Sequence, residues 1–396
     1  MPSLIRFVLV VLFAATSIAT GARADGERRS ARFLPAIEAL TPLYTEAAAD
    51  PDVPGISLAV AFENRLVWAQ GFGSADIENK IPMSPRSKLR VGSIAKVMTA
   101  AALARLHEQG TIDLDAEVRS LVPGWPEKPW PVSLRQLAGH QAGVRHYEPG
   151  EFLLNRAFSS LTEGLEIFKD DPLLFEPGSA VSYSTYGWSL IGAAMEGATG
   201  QDFLTLMRRQ VFAPLGLEDT MADQKGAANL NRAALYGLDE QGMLVLAPEV
   251  DSSYKWAGGG FLSTPADVAR FALAHARPGY LKAETLDLVF TRQHLKDGTI
   301  TSFGIGWIVG FDFYLDRIEQ RLPARARVVG RKLMERYPGA VMHSGGSVGG
   351  TTMLILSRKY RLAVVVAINS SDGQGLPLLL ALHTFDIFIR HIKAGP

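Results

Sequence analysis

The stretch Leu89-Arg90-Val91-Gly92-Ser93-Ile94-Ala95-Lys96-Val97-Met98-Thr99-Ala100 decides how the rest of this 396-residue chain is read. Gly92 marks a turn, and beyond it Ile94, Val97, Met98, Ala101 and Leu106 recur at helical spacing until Gly110. The pattern predicts a buried helix with Ser93 at its start. There, unpaired N–H groups and the positive end of the helix dipole favour negative charge developing on oxygen. Lys96 returns to the same face three residues on, and an ammonium held in an apolar wall loses its proton more easily than one in water. A neutral lysine can then act as base toward the serine. A second serine-x-x-lysine, Ser252-Ser253-Tyr254-Lys255, runs into Trp256-Ala257-Gly258-Gly259-Gly260. Those glycines are expected to stop a helix, so that serine and lysine need not share a face.

With 47% apolar residues, the chain can bury one large core or two moderate ones. Its 40 basic and 40 acidic residues balance, so nothing points to nucleic acid or to an anionic membrane as partner. The absence of cysteine excludes disulfides, a lipoprotein anchor and a thiol nucleophile. Arg6, the apolar run Phe7 to Ala15, and Ala22-Arg23-Ala24 before Asp25 have the layout of a cleaved secretory signal over residues 1–24. The run is short for a membrane span, so a periplasmic or secreted protein with no stable membrane insertion is expected.

Phe33 to Ala49 reads as an amphipathic helix, and Ile56 to Phe62 with Leu66 to Phe72 as a hairpin across Glu63-Asn64-Arg65. Pro123, Pro126, Pro129 and Pro131 mark a boundary. Helical patterns follow at Leu134 to Gly139, Phe152 to Phe158, Gly187 to Gly197 and Phe203 to Gly216, and Thr264-Pro265-Ala266-Asp267 starts a helix running to about His275. Strand patterns return at Phe303 to Phe313, Ala340 to His343, Thr351 to Ser357 and Leu362 to Asn369, before a helix over Leu376 to Ile392. The arginine-dense Asp316 to Arg336 reads as a solvated excursion. The expected fold is α/β (α+β): an antiparallel sheet made by both chain ends, residues 25–115 and 291–396, flanked by helices, with a mostly helical domain inserted at 116–290. Ser93 would lie at their junction, a common place for a cleft.

Two further stretches bear on the chemistry. Tyr183 stands in Pro177-Gly178-Ser179-Ala180-Val181-Ser182-Tyr183-Ser184-Thr185-Tyr186-Gly187-Trp188, a loop ahead of a helix, and His343-Ser344-Gly345-Gly346 ends a strand. With these in order behind Ser93 and Lys96, the chain resembles the serine β-lactamase and penicillin-binding-protein superfamily, class C-like and of D-Ala-D-Ala carboxypeptidase B type. Phrases such as Trp125-Pro126-Glu127-Lys128, Gly143-Val144-Arg145-His146-Tyr147 and Ser253-Tyr254-Lys255-Trp256 are similar to the subgroup of mitochondrial serine β-lactamase-like proteins. The resemblance implies an acyl-enzyme hydrolase with Ser93 as nucleophile, Lys96 and Tyr183 carrying the proton, and the backbone N–H groups of Ser93 and Gly346 as oxyanion hole. It places His343 beside the substrate or Tyr183, and Thr185, Ser344 and Gly345 along the substrate, with no metal and no cofactor. Thr185 departs from the asparagine usual in the superfamily. His343 stands where lysine is usual, which weakens the expected grip on a substrate carboxylate and favours peptide amides or small esters over β-lactams.

A rival nucleophile, Gly345-Gly346-Ser347-Val348-Gly349, spells the elbow of α/β-hydrolases, with Asp372 and His383 following. That elbow needs a helix after the serine, whereas Thr351 to Leu356 reads as a strand. From another class, the subgroup's filaments leave open an assembly module or homo-oligomer with little turnover.

Overall fold

The computed structural model describes residues 31–395 apart from Ala228, Pro323 and Gln374; the expected signal segment lies outside the described residues. The predicted hairpin forms from β1 (Gly55–Phe62) and β2 (Arg65–Asp76). Short strands follow in chain order: β3 (Ile81–Pro82), β4 (Leu89–Arg90), β5 (Met221–Ala222), β6 (Tyr236–Leu238), β7 (Leu244–Leu246), β8 (Phe261–Ser263) and β9 (Ile308–Val309). The C-terminal meander is β10 (Val341–Ser347), β11 (Gly350–Ser357) and β12 (Leu362–Ile368). β1 pairs antiparallel with β12 from Ile56 opposite Ile368 to Phe62 opposite Leu362. The two chain ends thereby make one seven-stranded antiparallel sheet of order β3-β2-β1-β12-β11-β10-β9.

Alternation along these strands sorts the side chains to two covered faces. Ile56, Leu58, Val60, Val364 and Val366 meet α1 (Leu34–Ala47) and the C-terminal helix Leu376–Ala394, in a core that includes Tyr44, Phe385 and Phe388. Ala59, Ala61, Leu354, Leu356 and Val365 face the other way, into a core shared with α2 (Ile94–Glu108), α3 (Tyr186–Thr199) and the helix Pro265–Ala274. The helical layer and the sheet therefore share one apolar interior. From Ile94 to Ala104 every residue of α2 is buried, as a helix apolar all round must be. Its alanines, Ala95, Ala100, Ala101, Ala102 and Ala104, favour helix and let neighbours approach closely. Among the described residues no helix is long and apolar enough to cross a membrane.

Several local expectations are corrected. Within Phe303 to Phe313 only Ile308–Val309 is strand, because Gly306 and Gly310 take φ of 77° and 79° and break the extended backbone. Phe152 to Phe158 holds no more than a single 3-10 turn, Glu151–Leu153. The segment Phe203 to Gly216 is α-helical over Phe203–Met207 and then widens into a π turn, Arg208–Phe212. The arginine-rich segment is more than a solvated excursion: it forms helices Ile318–Arg321 and Ala324–Arg336. Ile318, Leu322, Leu333 and Met334 among its arginines are buried in the core under the C-terminal helix. Arg336 and Tyr337 bind Asp386 of that helix at 2.6 and 2.7 Å.

Candidate active site

Ser93 is the cap residue of α2, whose first bonds run from the N–H groups of Ile94, Ala95 and Lys96 to the carbonyls of Val91, Gly92 and Ser93. The start of α2 packs against the end of β10 backbone to backbone. Gly92 has φ of 52°, and a β-carbon there would lie 2.6 Å from the Gly346 oxygen and 2.8 Å from its nitrogen. A β-carbon on Gly345 would lie 1.9 Å from the Val91 oxygen and 3.1 Å from the Ser93 nitrogen. Glycine at both places lets the Gly346 amide and the serine share one mouth. β9 covers β10 at Val341 and Met342, so among the described residues the β10 edge from His343 to Ser347 has no strand partner on that side.

Lys96 is fully buried, and its Nζ lies 3.0 Å from Ser93 Oγ, 2.9 Å from Thr185 Oγ1 and 2.6 Å from the Gly258 carbonyl. Burial first, and the charge of Lys255 second, hold its pKa well below that of a free lysine. Thr185, expected along the substrate, lines the cavity at Ser93, and its hydroxyl receives a bond from Lys96.

Tyr183 lies with its ring centroid 5.0 Å from Lys96 Nζ, stacked on His140 at 4.4 Å and edge-on to His146 at 5.7 Å. His343 is 6.4 Å from the same ring, centroid to centroid. Its Nδ1 donates to the Ser344 carbonyl at 2.6 Å, and its Nε2 is buried with no partner among the described residues. His343 is 1% exposed and is not among the residues that line the cavity at Ser93; its ring neighbours that of Tyr183. Burial, then the charge of Lys96, pushes its pKa down to about 3. His146 falls to about 4 for the same two causes in the same order, and His140 lies well below its ordinary value. All three imidazoles are neutral at neutral pH.

These depressed values carry a stability consequence. Between about pH 6.5 and the folded pKa, the unfolded chain binds protons that the native histidines refuse. For His343 that stability is complete above about pH 6.5 and falls as the pH drops toward about 3, by up to about 1.4 kcal/mol per pH unit. Thermal melts of wild type and His343→Phe across pH 4 to 7 are expected to show a shallower acid loss in the variant. Parallel curves would show that His343 is not held neutral.

The cavity at Ser93 holds about 270 Å³. Its lining includes Gly346 and Ser347 from β10, Thr185, Tyr147 and Phe152 from the helical layer, and Lys255 and Gly258 from the turn that follows Ser252. Ser344 instead lines a neighbouring cavity of about 350 Å³ that shares Gly346, and Gly345 is closed off by Val91. The rival elbow is not assembled, since Ser347 ends β10, donates to the Gly350 carbonyl at 3.0 Å and turns into β11. Asp372 accepts the Leu238 N–H at 2.9 Å. Sequence reasoning missed Lys255. Contrary to expectation, Trp256–Gly259 forms a helical turn. Tertiary packing outweighs glycine's poor propensity there: a β-carbon on Gly258 would lie 2.6 Å from Thr185 Cγ2. The signal that could have found Lys255 was the second serine-x-x-lysine itself. Among the described residues no group of histidine, aspartate and glutamate is arranged to hold a metal ion.

Known proteins carry the same arrangement of elements. The profile of the family described as Beta-lactamase matches residues 40–383. The chain is 29% identical over 411 residues to the serine beta-lactamase-like protein LACTB, mitochondrial, of Homo sapiens, covering 82% of this chain and 72% of that protein. It is 23% identical over 335 residues to the D-alanyl-D-alanine-carboxypeptidase/endopeptidase AmpH of Escherichia coli (strain K12), covering 80% of each. Among solved structures, the octameric penicillin-binding protein homologue from Pyrococcus abyssi superposes with a TM-score of 0.71 at 24% identity, covering 89% of this chain and 77% of that one. The matched span takes in Ser93, Lys96, Tyr183 and the end of β10, and the chain is a serine hydrolase belonging to the beta-lactamase family.

Proposed function

We propose that Ser93 is the nucleophile of an acyl-enzyme hydrolase that cleaves peptide amides or small esters. The observation that carries this reading is the Lys96 amine 3.0 Å from Ser93 Oγ, stripped of its usual basicity by burial. A neutral amine has two N–H bonds and one lone pair. The Gly258 carbonyl can only accept and Thr185 Oγ1 is free to accept, so the two N–H bonds go there and the lone pair faces the serine hydroxyl. On attack the proton moves from Ser93 Oγ to Lys96 Nζ while the backbone N–H groups of Ser93 and Gly346 receive the oxyanion. Tyr183, against Lys96, passes the proton to the leaving group, and water releases the acyl group by the reverse route.

An enclosed, neutral His343 leaves the strand side of the cavity without the cation that would hold a penicillin carboxylate. β-Lactams should accordingly be slow substrates or acylating inhibitors. Residues 1–24 support export to the periplasm or beyond, and the name of the Escherichia coli relative, a carboxypeptidase/endopeptidase, favours peptide amides. A fluorophosphonate probe with mass mapping tests the core of the reading. Label is expected on Ser93 and absent from Ser93→Ala; label on Ser347 or Ser252 sinks the mechanism.

A further inference from the structure

Lys255 is left without a task by the acyl transfer just described. It lines the Ser93 cavity, yet is only 4% exposed. Three rings surround its ammonium: Phe152 at 4.5 Å, Tyr254 at 5.1 Å and Tyr147 at 5.6 Å from Nζ to ring centroid. Its shortest polar contact is weak, 3.5 Å to the Phe152 carbonyl. Among the described residues no carboxylate lies within 4.0 Å of it; the nearby acids are engaged elsewhere, Asp223 by Arg90 and Arg232, and Asp251 by Ser253. A buried cation without a counter-ion is costly, and methionine or leucine would close the same wall more cheaply. Aromatic faces offset part of the cost and leave the direction toward the cavity open. The strain is visible in its pKa, which burial, then Arg90, lower to about 7.

We propose that Lys255 is a specificity-determining residue that pairs with a carboxylate carried by the substrate. The proposal rests on Ser93 acylation. It also separates two anion grips: the strand side, where His343 is neutral and enclosed, has none, and the helical side supplies one through Lys255. A pairing carboxylate would complete the ammonium's coordination, which the three rings leave open.

Two pairs of esters locate the carboxylate. The mono-p-nitrophenyl ester of adipic acid against p-nitrophenyl hexanoate places it on the acyl part; 4-(butyryloxy)benzoate against phenyl butyrate places it on the leaving group. The wild type is expected to favour the anionic member of one pair by about tenfold in kcat/KM, the scale of a charge-assisted bond. Lys255→Met should abolish that preference and Lys255→Arg should keep part of it. A wild-type preference below about twofold in both pairs, or a preference that survives in Lys255→Met, would overturn the proposal. The wild-type ratio decides even where the methionine variant does not fold. Ser93 labelling in the wild type separates the two readings: without it the acyl-enzyme reading fails, whereas label without carboxylate preference removes Lys255 alone.

Discussion

Methionine in place of Lys96 is expected to slow acylation of Ser93 at least about a hundredfold, the usual scale of general acid–base help. Methionine fills similar space, so the comparison removes the amine and little else. The buried amine has no carboxylate partner among the described residues, and replacing such a group by an apolar one of like shape is often tolerated. Against that, the Gly258 carbonyl and the Thr185 hydroxyl lose a donor, at about 1–3 kcal/mol for a buried group left unsatisfied. A modest shift in melting temperature with a large fall in the rate of probe labelling is therefore the expected signature. In the wild type that rate should rise with pH and level off well below the pKa of a free lysine, since a depressed pKa makes the base form available at lower pH. Tyr183→Phe, read in the same assay, should lose a comparable factor if the phenol carries the proton onward. Equal labelling rates in wild type and Lys96→Met would take Lys96 out of the proton path.

Gly345→Ala should be nearly as damaging, through the backbone. Its β-carbon would lie 1.9 Å from the Val91 carbonyl oxygen, which belongs to the turn that launches α2 and cannot rotate aside like a side chain. The end of β10 must then retreat from Ser93 and take the Gly346 amide with it. Loss of one oxyanion donor typically costs about 10²–10³ in kcat, and overpacking of this kind about 1–3 kcal/mol in stability. Gly339→Ala is the control, because a β-carbon there meets nothing within 4 Å. A Gly345→Ala enzyme with wild-type turnover would mean that β10 does not position the oxyanion donor.

Most of the architecture was legible in the sequence because its signals are local. Continuous apolar runs in Ile56 to Phe62 and Leu362 to Ile368 mark strands covered on both faces, and the helical recurrence of Ile94, Val97 and Met98 marks a buried helix. Ser93 and Lys96 were readable for the same reason, since three residues along one helix decide their distance. The tertiary structure alone decided what depends on residues far apart in the chain. His343 reads as an ordinary strand-end histidine until Tyr183 and Lys96 are packed against it and its burial makes it neutral. Lys255 reads as a decoy because glycines follow it, yet Thr185 and Gly258 hold that turn helical, and Tyr147 and Phe152, more than a hundred residues earlier, form two of the rings around its ammonium. Ile318, Leu322 and Leu333 were hidden among arginines until the C-terminal helix covered them. Periodicity records the burial of a face, whereas the charge state of a buried group is set by every element around it, and those elements are assembled only by the fold.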